Sequence, residues 1–200
     1  YILGSVEFAS ADEDDAALVV VPPYHIAGIS ALMSSIYANR RIVMLPSFEP
    51  AAWLKLVDAE RVTNAFVVPT MLGRIIAAME TGSPDVSSLR AVAYGGGKMP
   101  LEVIQKALER FPTTGFTNAY GLTEATGVVS VCRPGDSPER IARTCGAPLP
   151  DTEVRVVDDT GIEVPRGNDG EILVRGYNVM QGYFEDEAAT RATVDRDGWL

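Results

Sequence analysis

Tyr120, Thr123 and Glu124 stand within five consecutive positions, in the stretch Asn118-Ala119-Tyr120-Gly121-Leu122-Thr123-Glu124. An aromatic ring offers a face or edge to a base, and the free backbone beside Gly121 allows close approach. A hydroxyl can donate to phosphate, and a carboxylate is a hard oxygen ligand for magnesium. These are the parts needed to hold a magnesium nucleotide. The stretch follows Thr114-Gly115-Phe116-Thr117, so it reads as a loop leaving a strand, where ligands collect in open α/β sheets. The plainer reading is a strand-to-helix turn with Thr123 as cap and Glu124 at the positive helix end. On these residues alone the two readings stand level.

Two further places carry candidate chemistry. Gly95-Gly96-Gly97 lies between a strand pattern and a helix pattern, where bare backbone can meet a nucleotide. Most such triplets are simply tight turns, and no Walker frame occurs in the chain. His25 is the sole histidine and follows Val21-Pro22-Pro23-Tyr24. A lone histidine beside prolines is more often structural than catalytic. Its chemistry nonetheless suits positioning a carboxyl or thioester group near neutral pH. No nucleophile elbow accompanies it, which argues against a hydrolase base.

The elements that must position these residues alternate along the first two-thirds of the chain. Ala16 to Val21 is a continuous apolar run ending at Pro22-Pro23, the pattern of a buried strand. Ile26, Ile29, Leu32, Met33 and Ile36 give helical spacing over His25 to Tyr37. Arg41 to Leu45 is a second strand, and Pro50 to Ala59 a second helix with proline in its first turn. Asn64 to Val68 is a third strand, followed by a helix from Pro69 to about Glu80 that Gly82 and Pro84 end. Leu89 to Tyr94 and the segment around Gly115 to Ala119 are strands flanking an amphipathic helix over Pro100 to Arg110. The expected fold is therefore α/β, a mostly parallel sheet with covering helices.

After about Pro134 helical spacing gives way to short alternating runs, Glu153 to Val157 and Glu171 to Arg175, separated by turn signals at 158–161 and 166–170. This predicts a small antiparallel β subdomain. The expected division is an α/β subdomain at 1–142 carrying the adenine and acyl site, and a small β-rich subdomain at 143–200.

Four ordered segments resemble the acyl-adenylate-forming (AMP-binding) superfamily: Val21 to Gly28, Tyr94 to Pro100, Asn118 to Glu124 and Gly170 to Gly176. The likeness covers essentially the whole chain and is closest to the acyl-CoA synthetase (fatty-acid–CoA ligase) branch. It implies an enzyme that joins a carboxylic acid to AMP using ATP and Mg2+, then passes the acyl group to coenzyme A. It implies that Gly95, Gly96, Gly97, Asn118, Ala119, Tyr120 and Gly121 surround the adenine. By the same likeness Thr123 binds phosphate, Glu124 coordinates magnesium, and His25 sits at the acyl and thiol end. Thr123, Glu124 and His25 are thus the catalytic candidates. Glu171 has the plainer reading of a charged residue opening a strand. The chain departs from the commonest family pattern at Gly97-Lys98-Met99-Pro100, where Gly-Ala-Pro or similar is usual, which leaves the contact of Lys98 open. The family's phosphate loop, its ribose-gripping Asp and its catalytic Lys are not among these residues. With Tyr rather than Met at position 1, the sequence reads as the central piece of a longer enzyme, by itself inactive and prone to self-association. Loading of a carrier protein, or a non-catalytic nucleotide-binding module, are the competing readings.

The composition bounds the rest. With 46% hydrophobic and 22% charged residues, 200 residues bury a real core. A net charge of −10 argues against a nucleic-acid surface. The acid is concentrated in Asp12-Glu13-Asp14-Asp15 and Glu185-Asp186-Glu187, which read as solvated faces or turns. No apolar run is long enough to span a bilayer. Cys132 and Cys145, the only cysteines, are expected to stay reduced, in keeping with a cytoplasmic enzyme. A zinc cluster is not expected with one histidine. No acidic residue presents itself as a partner for an amino acid's ammonium group, so a fatty or aryl acid is the expected substrate.

Overall fold

The computed structural model of the protein describes residues 15–82, 84–133 and 135–200. The acidic residues Asp12 to Asp14 lie outside the described residues. Strands and helices alternate as β1 (Ala16–Val19), α1 (Ile26–Tyr37), β2 (Arg41–Met44), α2 (Pro50–Ala59), β3 (Asn64–Val67), α3 (Pro69–Ala78), β4 (Ala91–Gly95), α4 (Leu101–Arg110) and β5 (Gly115–Tyr120). Two-residue strands β6 (Ser130–Val131) and β7 (Ala147–Pro148) flank α5 (Pro138–Arg143). The chain then forms β8 (Thr152–Val157), β9 (Glu171–Gly176) and α6 (Glu187–Thr193).

The main sheet has the order β2-β1-β3-β4-β5-β6-β7, and β8 pairs with β9 in a separate two-stranded sheet. Strands β1 to β5 are parallel, whereas β6 and β7 add antiparallel at one edge. The α/β expectation holds, with a parallel sheet and a small antiparallel sheet after it. The main sheet continues through β7, a few residues past the change of texture near Arg143 in the sequence.

The two faces of the main sheet are unlike. Leu18, Ala65, Val67, Val92, Tyr94 and Phe116 point to one face and pack with Trp53 and Val57 of α2, Leu72 and Ile75 of α3, and Ile104 of α4. That is the principal core. Apart from Phe66, the opposite face carries mostly small side chains in register. Ala17, Asn64 and Ala91 lie side by side, then Phe66, Ala93 and Thr117, then Gly95, Ala119 and Val131. Among the described residues, α1 is the helix over this face.

Local chemistry explains the helix starts. Pro50 occupies the first turn of α2, and the Glu49 carboxylate accepts from the amides of Ala51 (3.1 Å) and Ala52 (2.7 Å). Those two bonds hold the Glu49 carboxyl below the usual carboxylate range. The structure differs from the sequence expectation after Pro134, where it contains two helices besides strands. At six and seven residues, α5 and α6 are too short to display a 3.6-residue period. Asp186, within an acidic run read as a solvated face or turn, caps α6 by accepting from the amide of Ala189 at 2.9 Å.

Candidate active site

The candidate site is built at the carboxyl ends of β1, β4 and β5. After β1 the chain turns through Pro22 and Pro23, and His25 caps α1, its Nδ1 accepting from the Ala27 amide at 3.1 Å. With Nδ1 an acceptor, the neutral ring carries its proton on Nε2. After β4 the chain passes through Gly96 with φ +77° and the exposed Gly97. After β5 it enters a one-turn 3-10 helix at Thr123–Ala125, and Thr126 takes the left-handed conformation.

These ends surround one cavity of about 530 Å³ that runs over the small-residue face of the sheet. His25, Gly95, Gly96, Ala119, Gly121 and Thr123 all line it. Ala27, Ser30 and Ala31 of α1 form its wall, and Ala17, Ala91 and Ala93 its floor. The width of the cavity follows from the residue types. Each alanine or glycine in those strand rows leaves space that a larger side chain would fill.

Close packing fixes two glycines at the mouth. A Cβ on Gly95 would lie 2.5 Å from the carbonyl oxygen of Ala119. A Cβ on Gly121 would lie 1.8 Å from the carbonyl oxygen of Gly127. Such approach of backbone to backbone admits glycine only. Gly97, by contrast, has no atom closer than 4.0 Å to such a Cβ and does not line the cavity.

Strand alternation divides the remaining site residues. Asn118 points to the opposite face from Ala119, and its amide donates to the carbonyls of Thr144 (2.7 Å) and Ile141 (3.4 Å) beside α5. The structure therefore does not bring the Asn118 side chain to the cavity. Tyr120 lies at the carboxyl end of β5, and its side chain packs against the cluster of Ala125, Val129 and Val174, the last from β9. Glu124 stands next to the mouth. Its Oε1 accepts from the Tyr183 hydroxyl at 2.7 Å, and its backbone carbonyl accepts from the Met180 amide at 2.7 Å. The bond to Glu124 raises the Tyr183 pKa, since losing the phenolic proton would set two anions together.

Two positioning residues escaped the sequence reading. Asn178 is 2% exposed, and its side-chain amide reaches the carbonyls of Ala125 and Val128, both at 3.4 Å. Its own carbonyl accepts from the Thr126 hydroxyl at 2.6 Å. Asn178 and Tyr183 thus hold the Thr123–Glu124 turn from more than fifty residues away in sequence. The only signal in the sequence was their neighbourhood after the Gly170–Gly176 segment.

A third group stands out at the far end of the cavity. Arg40 and Asn64 line it there, each 7% exposed. The buried charge that faces this cavity is a guanidinium, which does not suit an ammonium-bearing acid. Cys132 is buried and Cys145 exposed, both as free thiols; burial pushes the Cys132 thiol above the usual range. No helix among the described residues is long and apolar enough to cross a membrane.

A carboxylate and a hydroxyl beside a glycine-lined mouth, opening on an apolar cavity, can hold a phosphorylated nucleotide next to an apolar acid. Magnesium commonly takes one or two protein carboxylates together with substrate phosphates, and Glu124 with its second oxygen fits that demand. The AMP-binding enzyme family matches residues 2–184. A 4-coumarate-CoA ligase of Narcissus pseudonarcissus is 34% identical over 192 residues, 94% of this chain and 35% of that protein. An octahydroindenyl-propanoyl:CoA ligase of Mycobacterium tuberculosis is 33% identical over 188 residues, 94% of this chain and 35% of its own length. The o-succinylbenzoate CoA synthetase of Bacillus subtilis, solved with ATP and magnesium ion, matches with TM-score 0.83 and 29% identity over 100% of this chain and 40% of that one. The amide bond synthetase McbA of Marinactinospora thermotolerans matches with TM-score 0.87 and 29% identity over 100% and 40%. The chain spans about a third of the length of the curated relatives it matches. With its cavity at the strand ends of a largely parallel sheet, and with this match along nearly all its length, the chain belongs to the AMP-binding enzyme family.

Proposed function

We propose that the protein carrying this chain activates a carboxylic acid with ATP and transfers the acyl group from AMP to the thiol of coenzyme A. The observation that carries this reading is the single cavity joining Thr123, Gly121 and His25 at its mouth to a long apolar interior. In the first half-reaction an oxygen of the acid attacks the α-phosphorus and pyrophosphate leaves. In the second, the thiol sulfur attacks the acyl carbon and AMP leaves. Negative charge develops on the phosphate oxygens, and preorganised donors offset it. Thr123 donates its hydroxyl there, and Glu124, held by Tyr183, is the residue that would carry magnesium, which neutralises phosphate charge when bound. The backbone from Gly95 to Gly97 and from Asn118 to Gly121, with the Tyr120 ring, is assigned to the adenine. His25, with Nδ1 engaged, offers Nε2 to the acyl and thiol end.

The apolar walls support an acid with an alkyl or aryl body, a fatty acid foremost. We assign the adenine and acyl site to residues 1–142 and a small β-rich subdomain to 143–200, whose first strand β7 joins the edge of the main sheet, and place the protein in the cytoplasm, where Cys132 and Cys145 stay reduced. The likeness to an amide bond synthetase supports one alternative, an amine in place of the thiol as acceptor. The test, on the full-length protein that carries this chain, is acid-dependent release of pyrophosphate with ATP and magnesium, over a panel of alkanoic and aryl acids, followed by addition of coenzyme A or an amine. Release that depends on the acid, with thioester on adding coenzyme A, is the expected result. No release with any acid removes the reading, and amide without thioester moves it to the alternative acceptor.

A further inference from the structure

The cavity does not end in hydrocarbon. At its mouth stand Gly95 and Thr123, and along the sheet the floor passes from the Gly95–Ala119 row through Ala93–Thr117 to Ala91–Asn64. Four residues of strand separate Gly95 from Ala91, which at the strand rise is about 13 Å. At that depth the small-residue floor gives way to Asn64, and Arg40 stands beside the start of the neighbouring strand β1. The amide of Arg41 donates to the carbonyl of Asp15 at 3.0 Å, and Asn64 pairs in register with Ala17. Arg40 and Asn64 therefore flank the same end of β1 and face the same cavity.

Both side chains are more than nine-tenths buried, and both are incompletely satisfied. Nε and one terminal nitrogen of Arg40 are buried with no hydrogen-bond partner. Asn64 donates through Nδ2 to the Thr63 hydroxyl at 2.8 Å, while its Oδ1 has no partner. A buried guanidinium with unused donors is costly, because desolvation is repaid only by hydrogen bonds to an acceptor. Burial lowers the Arg40 pKa, and the nearby Asp15 carboxylate offsets this in part. Asp15 itself is engaged by Arg90 at 3.0 Å. The hydroxyls of Ser34 and Ser35 both donate to the Ala31 carbonyl within α1, and neither accepts from the two unpartnered Arg40 nitrogens.

We propose that Arg40 and Asn64 form a polar terminus of the acid-binding cavity and select acids whose far end bears an oxygen, an ω-carboxylate before all. The acid's reacting carboxyl lies at the mouth, its apolar body along Ala91 and Ala93, and its distal oxygens accept from the free donors of Arg40. The unused Oδ1 of Asn64 accepts from a distal hydroxyl or from water carried with the carboxylate. This rests on the reading that the cavity binds the acid substrate, and it names that substrate's class.

The experiment compares α,ω-dicarboxylic, ω-hydroxy and plain alkanoic acids of equal chain length, over a graded series of lengths. Two readouts are taken on the full-length protein that carries this chain: pyrophosphate release, and titration calorimetry with each acid in the absence of ATP. A charge-assisted hydrogen bond in a buried site predicts a preference of roughly 10- to 100-fold for the dicarboxylic acid over its alkanoic counterpart. Arg40→Gln should bring the dicarboxylic acid down to the level of its alkanoic counterpart, and Arg40→Lys should keep part of the preference. If Arg40→Gln does not fold, the preference of the unaltered protein still decides the matter, with Asn64→Ala as the second variant. Turnover of alkanoic acids as good as that of dicarboxylic acids would overturn the proposal and leave the ligase reading in place. A calorimetric preference without pyrophosphate release would leave this terminus standing and remove the ligase reading instead.

Discussion

Gly121→Ala is the substitution that most directly tests how the nucleotide-side turn is built. The new Cβ would stand 1.8 Å from the Gly127 carbonyl oxygen, 2.6 Å from its carbon and 2.8 Å from Val128 Cα. A carbon against a carbonyl oxygen rests at about 3.3 Å or more, so one strand of the turn must move by roughly 1.5 Å. The neighbouring atoms are backbone, and no flexible side-chain end can yield instead. Three hydrogen bonds resist the movement: Gly127 N to Leu122 O at 3.0 Å, Val129 N to Tyr120 O at 2.8 Å, and the Thr126 hydroxyl to Asn178 O at 2.6 Å. At about 1 kcal/mol net for each bond, losing two or three costs about 2–3 kcal/mol. Gly97→Ala is the matched control, because its Cβ meets nothing within 4.0 Å except Pro69 Cγ. There the reduced freedom of the unfolded chain favours alanine, by about 0.4–1 kcal/mol. Urea unfolding followed by circular dichroism should separate the two variants by about 2 kcal/mol or more, Gly121→Ala being the less stable. Nucleotide binding should weaken in Gly121→Ala even where it remains folded, because Thr123 and Glu124 ride on the displaced turn. Equal stability of the two variants would refute the close-approach argument, and unaltered nucleotide binding would detach the turn from the site.

Three further outcomes are expected. Glu124→Gln keeps an acceptor for the Tyr183 hydroxyl, so stability should hold while adenylate formation slows by an amount equivalent to about 2–4 kcal/mol, most visibly at limiting magnesium; an unchanged rate there would return Glu124 to a structural role. The Asp85 carboxyl is drawn to about 2 by hydrogen bonds from the Ser87 side chain and amide and from Arg61. Its folded pKa is thus depressed, so its stabilising contribution is complete above its ordinary value of 3.8 and disappears as pH falls through about 2; an NMR titration midpoint near the ordinary value would contradict this. Ile36 and Tyr37 of α1 are 65% and 59% exposed, and with Ile29 and Met33 they form an apolar stripe. The 200-residue chain should self-associate through it, and Ile36→Lys should shift the size-exclusion profile toward monomer; an unmoved profile would place the contact elsewhere.

Much of the architecture was legible in the order of residues because it is written in short-range patterns. Pro50 at a helix start, apolar runs of strand length and glycines after strands each act within a few residues of themselves. They placed α2 at its observed bounds and set His25, Gly96 and Thr123 at strand ends. The strands β6 and β7 and the helices α5 and α6 are too short to repeat their period, so only the local start signals Ser137-Pro138 and Asp186 mark the two helices. Alternation along β5 likewise states that Asn118 and Ala119 face opposite ways, but not which way the cavity lies. That choice belongs to the packing of α2, α3 and α4, which bury the face of Val92 and Tyr94 and leave the face of Ala93 open. The partners of Glu124, Thr126 and Arg40's cavity end are likewise tertiary facts. Tyr183 and Asn178 reach the turn across 59 and 52 positions, and Asn64 comes to the cavity with Arg40 from another strand. Sequence determines the elements because their hydrogen bonds and side-chain periods are local. Only the folded chain decides the site, because burial and contact between distant segments select which of each element's faces meets the ligand.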